Sequence, residues 1–236
     1  MDQATLKISS KNYGSWSLRG WLLTRFSGLS FKEQIVPPDD PVMRAELLLL
    51  SPSCLVPSLA HDGIIVWDTL AIGEYLNEIR PGAGLLPKDR ARRARCRSIC
   101  GEMHSGFGPL RSALPMNLKG DFPSFKVWAR AQADIDRITT IWQDCLNHFG
   151  GPFLLGERSM ADAMYAPVVT RFLTYHVKLD PLSKAYCGEI MAMPEMIEWV
   201  DAARSRARSK SSRSNFRIGS QGWPRPAASL RQFLNR

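Results

Sequence analysis

Strand-like and helix-like patterns alternate through the first 80 residues, and after that only helical patterns follow. This switch restricts the chain to a small α/β domain joined to an all-helical one. Residues 5–9 (TLKIS) alternate and predict a strand. Residues 17–26 put Leu18, Trp21, Leu22 and Phe26 on one helical face, with Gly28 as the C-terminal stop. Residues 31–36 predict a second strand halted by Pro37 and Pro38, and residues 44–50 a short helix ended by Ser51 and Pro52. Residues 57–60 and 64–67 predict two strands joined through His61, Asp62 and Gly63, where Asp-Gly is a strong hairpin signal. Residues 69–79 predict a helix closed by Arg80, Pro81 and Gly82. The order β-α-β-α-β-β-α implies a mixed sheet with a right-handed crossover.

From about residue 88 the chain predicts helices over residues 90–114, 124–149, 160–177 and 194–203. In the second, Val127, Ile135, Ile138, Trp142, Cys145 and Phe149 recur at helical spacing. The expected organisation is an α/β domain over residues 1–81, a linker at 82–88, an all-helical domain at 89–203 and an irregular tail at 204–236.

Composition removes other classes. Among 236 residues, 44% are hydrophobic and 22% charged, as in a soluble globular protein. No apolar run approaches the roughly 18–20 residues that span a bilayer. The N-terminus lacks a basic stretch followed by an apolar one, so no secretory leader is expected and a cytoplasmic location is. Cys54, Cys96, Cys100, Cys145 and Cys187 are odd in number and scattered, which favours free thiols. The net charge of +9 is local. Residues 201–236 hold nine Lys and Arg against the single acid Asp201, while the other 200 residues hold 22 basic against 21 acidic ones. A nucleic-acid footprint should lie on a folded face, so nucleic acid is not an expected partner. A Ser/Arg-rich end of this kind is also what a shifted reading frame in GC-rich coding DNA yields, and that explanation is favoured over a nucleic-acid arm.

Three stretches carry chemistry. Leu55, Val56, Pro57, Ser58 and Leu59 put a proline where a strand begins. A cis Val56–Pro57 bond there would turn the Val56 backbone outward as an open edge for an extended peptide. At Asp68–Thr69 a strand gives way to a helix, which suits either an ordinary N-cap or a carboxylate site. Residues 12–19 (NYGSWSLR) lie between the first strand and first helix, where a hydroxyl or N–H favours a thiolate. No His or acid adjoins Ser15, so it is not a hydrolase nucleophile. Cys96 and Cys100 stand four apart among arginines with no His pair, so no metal is expected.

Taken together, these stretches resemble the glutathione transferase family, in a bacterial, zeta-like form, over roughly residues 5–203. Residues 153–162 (FLLGERSMAD) resemble the family's buried helix cap, with Ser159 and Asp162 as a structural capping box. Residues 14–19 (GSWSLR) resemble the zeta Ser-Ser-Cys-Ser-x-Arg pattern, with Gly14 in place of the first Ser and Trp16 in place of the Cys. Cys54 and Leu55 replace the Gly and basic residue that often precede Val-Pro.

The resemblance implies a thioredoxin-like N-terminal domain and glutathione as co-substrate. The Val56 backbone, beside Pro57, would pair with its cysteinyl unit. Asp68 and Thr69 would take the γ-glutamyl end, with Thr69 in place of the usual Ser, and Ser15 would face the sulfur as catalytic thiolate donor. A small hydrophobic electrophile would lie between the domains, against Tyr13, Trp16, Met103, His104, Phe107 and Arg111. Cys54, near this site, is a minor candidate for a mixed disulfide. A homodimer without membrane association is implied. The alternative is a protein that holds glutathione or a hydrophobic ligand with little catalysis.

Overall fold

The computed structural model describes residues 4–36 and 55–205. The helix expected at 44–50, Cys54 and the tail beyond residue 205 lie outside the described residues. The strands are β1 (Ala4–Ile8), β2 (Phe31–Ile35), β3 (Ser58–His61) and β4 (Ile64–Trp67). The helices are α1 (Ser15–Phe26), α2 (Thr69–Ile79), α3 (Arg90–Ser105), α4 (Gly108–Ala113), α5 (Ala129–Phe149), α6 (Met160–Thr174), α7 (Pro181–Ala192) and α8 (Pro194–Ser205). A short 3-10 turn, Pro81–Ala83, follows α2.

The sheet runs β2-β1-β3-β4. β1 is parallel to β2, with Leu6 opposite Glu33, and antiparallel to β3, with Leu6 opposite Leu59. The mixed sheet follows from two kinds of connection. A helical crossover must join parallel neighbours, whereas a two-residue turn joins β3 to β4. In that turn Asp62 (φ 48°) and Gly63 (φ 75°) both take positive φ, the geometry that matches strand twist. Ala4, Leu6 and Ile8 point into the core on alternate positions of β1.

The described residues belong to one compact unit. Its centre is α1, which is buried on nearly every face between the sheet and the helical half. Trp21 of α1 meets Trp199 of α8 at 5.3 Å between ring centroids, and the Trp199 indole donates to the Lys11 carbonyl at 2.9 Å. α6 is also buried almost throughout. It starts at the capping box expected from the sequence: Asp162 Oδ2 accepts from Ser159 N at 2.8 Å and from Ser159 Oγ at 3.2 Å.

Four helical expectations change. The single helix over 90–114 is two helices, because Gly106, Phe107, Gly108 and Pro109 interrupt it. Phe107 takes φ 59°, and Pro109 opens α4 with no N–H to give. His104, Phe107 and Arg111 therefore do not lie on one continuous helix. The helix expected from residue 124 begins at Ala129, and Val127 lies before it. There Phe122 and Phe125 instead pack on Tyr175, at 5.2 and 4.9 Å. The helix expected to reach residue 177 ends at Thr174, with His176 at φ 50°. α7 has no counterpart in the sequence reading, although its start is ordinary. Asp180 accepts from Leu182 N and Ser183 N, both at 3.0 Å, and Pro181 holds the first helical position.

Candidate functional site

A cleft of about 190 Å³ opens where the sheet meets the helices. Val56, Pro57, Asp68 and Thr69 line it from the sheet-bearing half, Trp16 from the start of α1, and His104 from α3. The Val56–Pro57 bond is cis. Pro57 lies directly on α1 at Gly20, where an added Cβ would stand 2.6 Å from both Cβ and Cγ of the proline. The absent side chain at position 20 is what lets this loop sit against the helix.

Asp68 is held in an unusual backbone state, φ 76° and ψ 138°, at the N-cap of α2. Such a conformation for a residue with a side chain persists only where its surroundings enforce it. Its Oδ1 accepts from Leu70 N at 2.8 Å and from Ala71 N at 3.4 Å. Its Oδ2 meets His104 Nε2 at 3.0 Å. Thr69 is 1% exposed, and its Oγ1 is buried with no hydrogen-bond partner among the described residues. Leaving a buried hydroxyl unmade costs about 1–3 kcal/mol, and Thr69 lines the cleft, so a turn of its side chain toward the cleft is what would give this hydroxyl a partner.

The start of α1 is arranged differently from a bare hydroxyl aimed at the cleft. Ser15 is buried and does not line the cleft. Its Oγ accepts from Arg171 Nη2 of α6 at 3.2 Å. A guanidinium only donates, so the Ser15 hydroxyl hydrogen stays available. Gly14 has no room for a side chain, since a Cβ there would stand 2.4 Å from the Ser10 carbonyl and 2.6 Å from Ser9 Oγ. Ser17 Oγ is occupied by Ser9 N at 2.9 Å and Ser9 Oγ at 3.0 Å. Of residues 14–17, Trp16 is the one that lines the cleft.

Behind Trp16 lies a group of arginines. Arg19 is fully buried and stacks its guanidinium 4.5 Å from the Trp16 ring. Its Nε donates to the Met164 carbonyl at 2.7 Å, and both terminal nitrogens lack partners among the described residues. Burial, then Arg171 and Arg111, pull its proton affinity well down. Arg171 spends Nε on the Leu114 carbonyl and Nη1 on the Pro167 carbonyl. Burial first, and Arg111 second, lower its pKa to about 10. Arg111 lies 5.8 Å from the Trp16 ring.

The remaining sequence candidates are placed as follows. Tyr13 is exposed, Met103 is buried in the core, and Phe107 is buried at the break between α3 and α4. Arg19 and Arg171 were not among the candidates. The available signal was a lone arginine inside the apolar run 168–173 (VVTRFL), where burial demands partners. Cys96, Cys100, Cys145 and Cys187 are free and buried. Burial pushes the Cys145 thiol up to about 11 and the Cys187 thiol up to about 12, so neither is a ready thiolate. Among the described residues no group of three His, Cys, Asp or Glu could hold a metal ion, and no helix is long and apolar enough to cross a membrane.

A profile of the glutathione S-transferase N-terminal domain matches residues 13–79, the stretch that carries α1, the Val56–Pro57 loop and the Asp68 cap. This stretch is similar to a glutathione S-transferase N-terminal domain. Probable maleylacetoacetate isomerase 1 of Drosophila melanogaster is 37% identical over 133 residues, 56% of this chain and 53% of that relative. The match thus spans about half the length of that relative. Glutathione S-transferase L3 of Arabidopsis thaliana is 29% identical over 201 residues, 84% of this chain and 77% of the relative. A crystal structure of a glutathione transferase homolog from Burkholderia gl BGR1, with bound glutathione, matches at TM-score 0.66 and 22% identity. It covers 86% of this chain and 100% of that one, so the glutathione S-transferase fold includes the helical half as well.

Proposed function

We propose that this chain is a glutathione transferase that binds glutathione in the cleft, favours its thiolate and transfers it to a small electrophile bearing an anionic group. The observation that carries the reading is that Asp68 and the buried Thr69 hydroxyl, which has no partner among the described residues, stand side by side at the start of α2, next to the Val56–Pro57 loop. The γ-glutamyl group of glutathione offers an ammonium for Asp68 and a carboxylate for Thr69. The cysteinyl unit then lies along Val56, with its sulfur toward the start of α1. Support comes from a solved relative of this fold that contains glutathione.

Within that pose, Ser15 is the thiolate donor, with its oxygen already receiving a charged hydrogen bond from Arg171. A donor polarised in this way is stronger than an isolated hydroxyl. The thiol proton leaves to solvent and the thiolate attacks the electrophile held beside it. Proximity in a partly dry cleft supplies much of the acceleration. Ser15→Ala is expected to lower turnover ~10²-fold while changing glutathione affinity little, a split read from steady-state kinetics. Equal turnover in the variant would remove Ser15 from this role.

The anionic character of the electrophile rests on Arg19 and Arg111, which flank the Trp16 ring, and on Arg171, which donates to the neighbouring Ser15. Among the described residues, no acid is prominent in the surroundings that lower the proton affinity of Arg19 and Arg171. The relative named maleylacetoacetate isomerase bears the name of such an acid anion. Arg111→Leu is expected to lower kcat/KM about tenfold for a carboxylated electrophile and little for its neutral methyl ester, since one charged hydrogen bond contributes about 1.5–3 kcal/mol. Loss on both substrates alike would argue against an anion site there.

The founding experiment is calorimetric titration with glutathione near pH 6.5, in two buffers of different ionisation enthalpy. Release of close to one proton supports thiolate formation, because the free thiol is mostly protonated there, with a pKa of ~8.5. Binding without release supports the second reading, a ligand-holding protein. The placement of Ser15 behind the cleft wall and the lack of room at Gly14 favour that second reading. A homodimer belongs to the proposal too. Ile64, Ile65 and Trp67 expose apolar surface along the outer strand β4, an edge suited to a second copy.

A further inference from the structure

We infer that His104 is a positioning residue for glutathione capture: reaching from α3 in the helical half, it fixes the Asp68 carboxylate that receives the γ-glutamyl ammonium. The inference rests on the glutathione reading above and assigns a residue to it. Asp68 has two oxygens with different duties. Oδ1 is spent on the cap of α2, accepting from Leu70 N and Ala71 N. Oδ2 is the oxygen left for a ligand, and His104 Nε2 lies 3.0 Å from it. An ionised carboxylate can only accept, so Nε2 carries the hydrogen in this contact. Oδ2 keeps a second lone pair, and that is the one a ligand ammonium can use.

The imidazole is itself held. The Trp16 ring meets it edge-on at 5.1 Å between centroids and 62° between planes. In the neutral ring with Nε2 donating, Nδ1 is a lone-pair acceptor, and it is buried without a partner among the described residues. An unpartnered buried nitrogen costs stability, a cost that packing on Trp16 alone does not require. A structural role alone would be served as well by an apolar side chain. Through His104, the packing of α3 on α2 is transmitted to a single carboxylate oxygen in the cleft.

The test uses two S-methylated ligands, so that thiol ionisation does not enter. One is S-methylglutathione. The other is its analogue with glutaryl in place of γ-glutamyl, which lacks only the ammonium. Wild-type protein is expected to prefer the first. In His104→Ala the preference should fall about tenfold, the scale of one hydrogen bond to a charged group. Affinity for the analogue should change little. His104→Gln keeps an N–H near the place of Nε2 and should restore most of the preference.

If His104→Ala weakens both ligands equally, His104 is a packing residue and the inference is wrong. If the preference rises, His104 competes with the ammonium for Oδ2 and the inference is again wrong. Failure of wild-type protein to bind either ligand would instead overturn the glutathione reading beneath it.

Discussion

Replacing Asp162 by alanine is expected to lower the unfolding free energy by about 3–5 kcal/mol, read as a lower urea midpoint with unchanged slope. The side chain is fully buried. Its Oδ2 accepts from Ser159 N and Ser159 Oγ, and its Oδ1 from Leu154 N at 3.2 Å and from the Tyr186 hydroxyl at 3.1 Å. Alanine leaves two backbone N–H groups and a phenol unpaired where water does not reach, each at about 1–3 kcal/mol. The damage falls at the start of α6. That helix packs on α1 and carries Arg171, so the site should loosen before the whole protein unfolds.

The same carboxyl makes stability depend on pH in a direction unusual for an aspartate. Burial pushes it up from 3.8 to about 6, and the hydrogen bonds it accepts only partly oppose this. The native state therefore binds this proton more tightly than the unfolded chain does. The contribution from proton binding is full below pH 3.8, and it shrinks as pH rises to about 6. Over that interval it amounts to about 3 kcal/mol. Asp162→Asn cannot titrate. Relative to that variant, wild-type protein should lose stability between pH 4 and 6 and run parallel above. A constant difference across that range would mean that the four hydrogen bonds hold the carboxylate ionised throughout.

What could be read from sequence was what is local in sequence. The β3–β4 hairpin, α2 with its Asp68–Thr69 start, and the Ser159–Asp162 box each depend on residues a few positions apart, and the structure places them where the residue types require. The break in the helix at Gly106–Pro109 was equally local, but the flanking apolar spacing concealed it. The contacts that define the site are of another kind. Ser15 meets Arg171 across 156 positions, and His104 meets Asp68 across the junction of the two halves. The first exists because α1 is buried against a helix that comes much later in the chain, the second because α2 packs on the first helix of the helical half. A periodicity count sees Arg171 as a blemish in an apolar helix. Its worth appears only when the Leu114 carbonyl, the Pro167 carbonyl and Ser15 are brought around it. The lack of room at Gly14 is likewise set by Ser9 and Ser10 folding back over it.

Replacing Asp68 by asparagine or alanine should separate its two duties. The expected loss of glutathione affinity is the largest for any change at the cleft. Asparagine is a good N-cap and tolerates positive φ, so Asp68→Asn should keep the bonds from Leu70 N and Ala71 N; its amide nitrogen then faces His104 Nε2, so the bond from that ring is lost or the ring changes tautomer, and stability should fall by about 1 kcal/mol or less. It removes the charge that faces the γ-glutamyl ammonium, and glutathione affinity should fall about 10- to 100-fold. Asp68→Ala loses the cap as well, and alanine at φ 76° is strained. Stability should then drop by about 1–2 kcal/mol and affinity by a further factor, because the frayed first turn of α2 no longer holds Thr69 in place. Calorimetry on the folded variants at one salt concentration measures both losses. If Asp68→Asn binds glutathione as wild-type protein does, the carboxylate is only a helix cap. The recognition of glutathione would then have to come from Thr69 and the Val56 edge alone, and a backbone held at φ 76° would have no ligand to account for it.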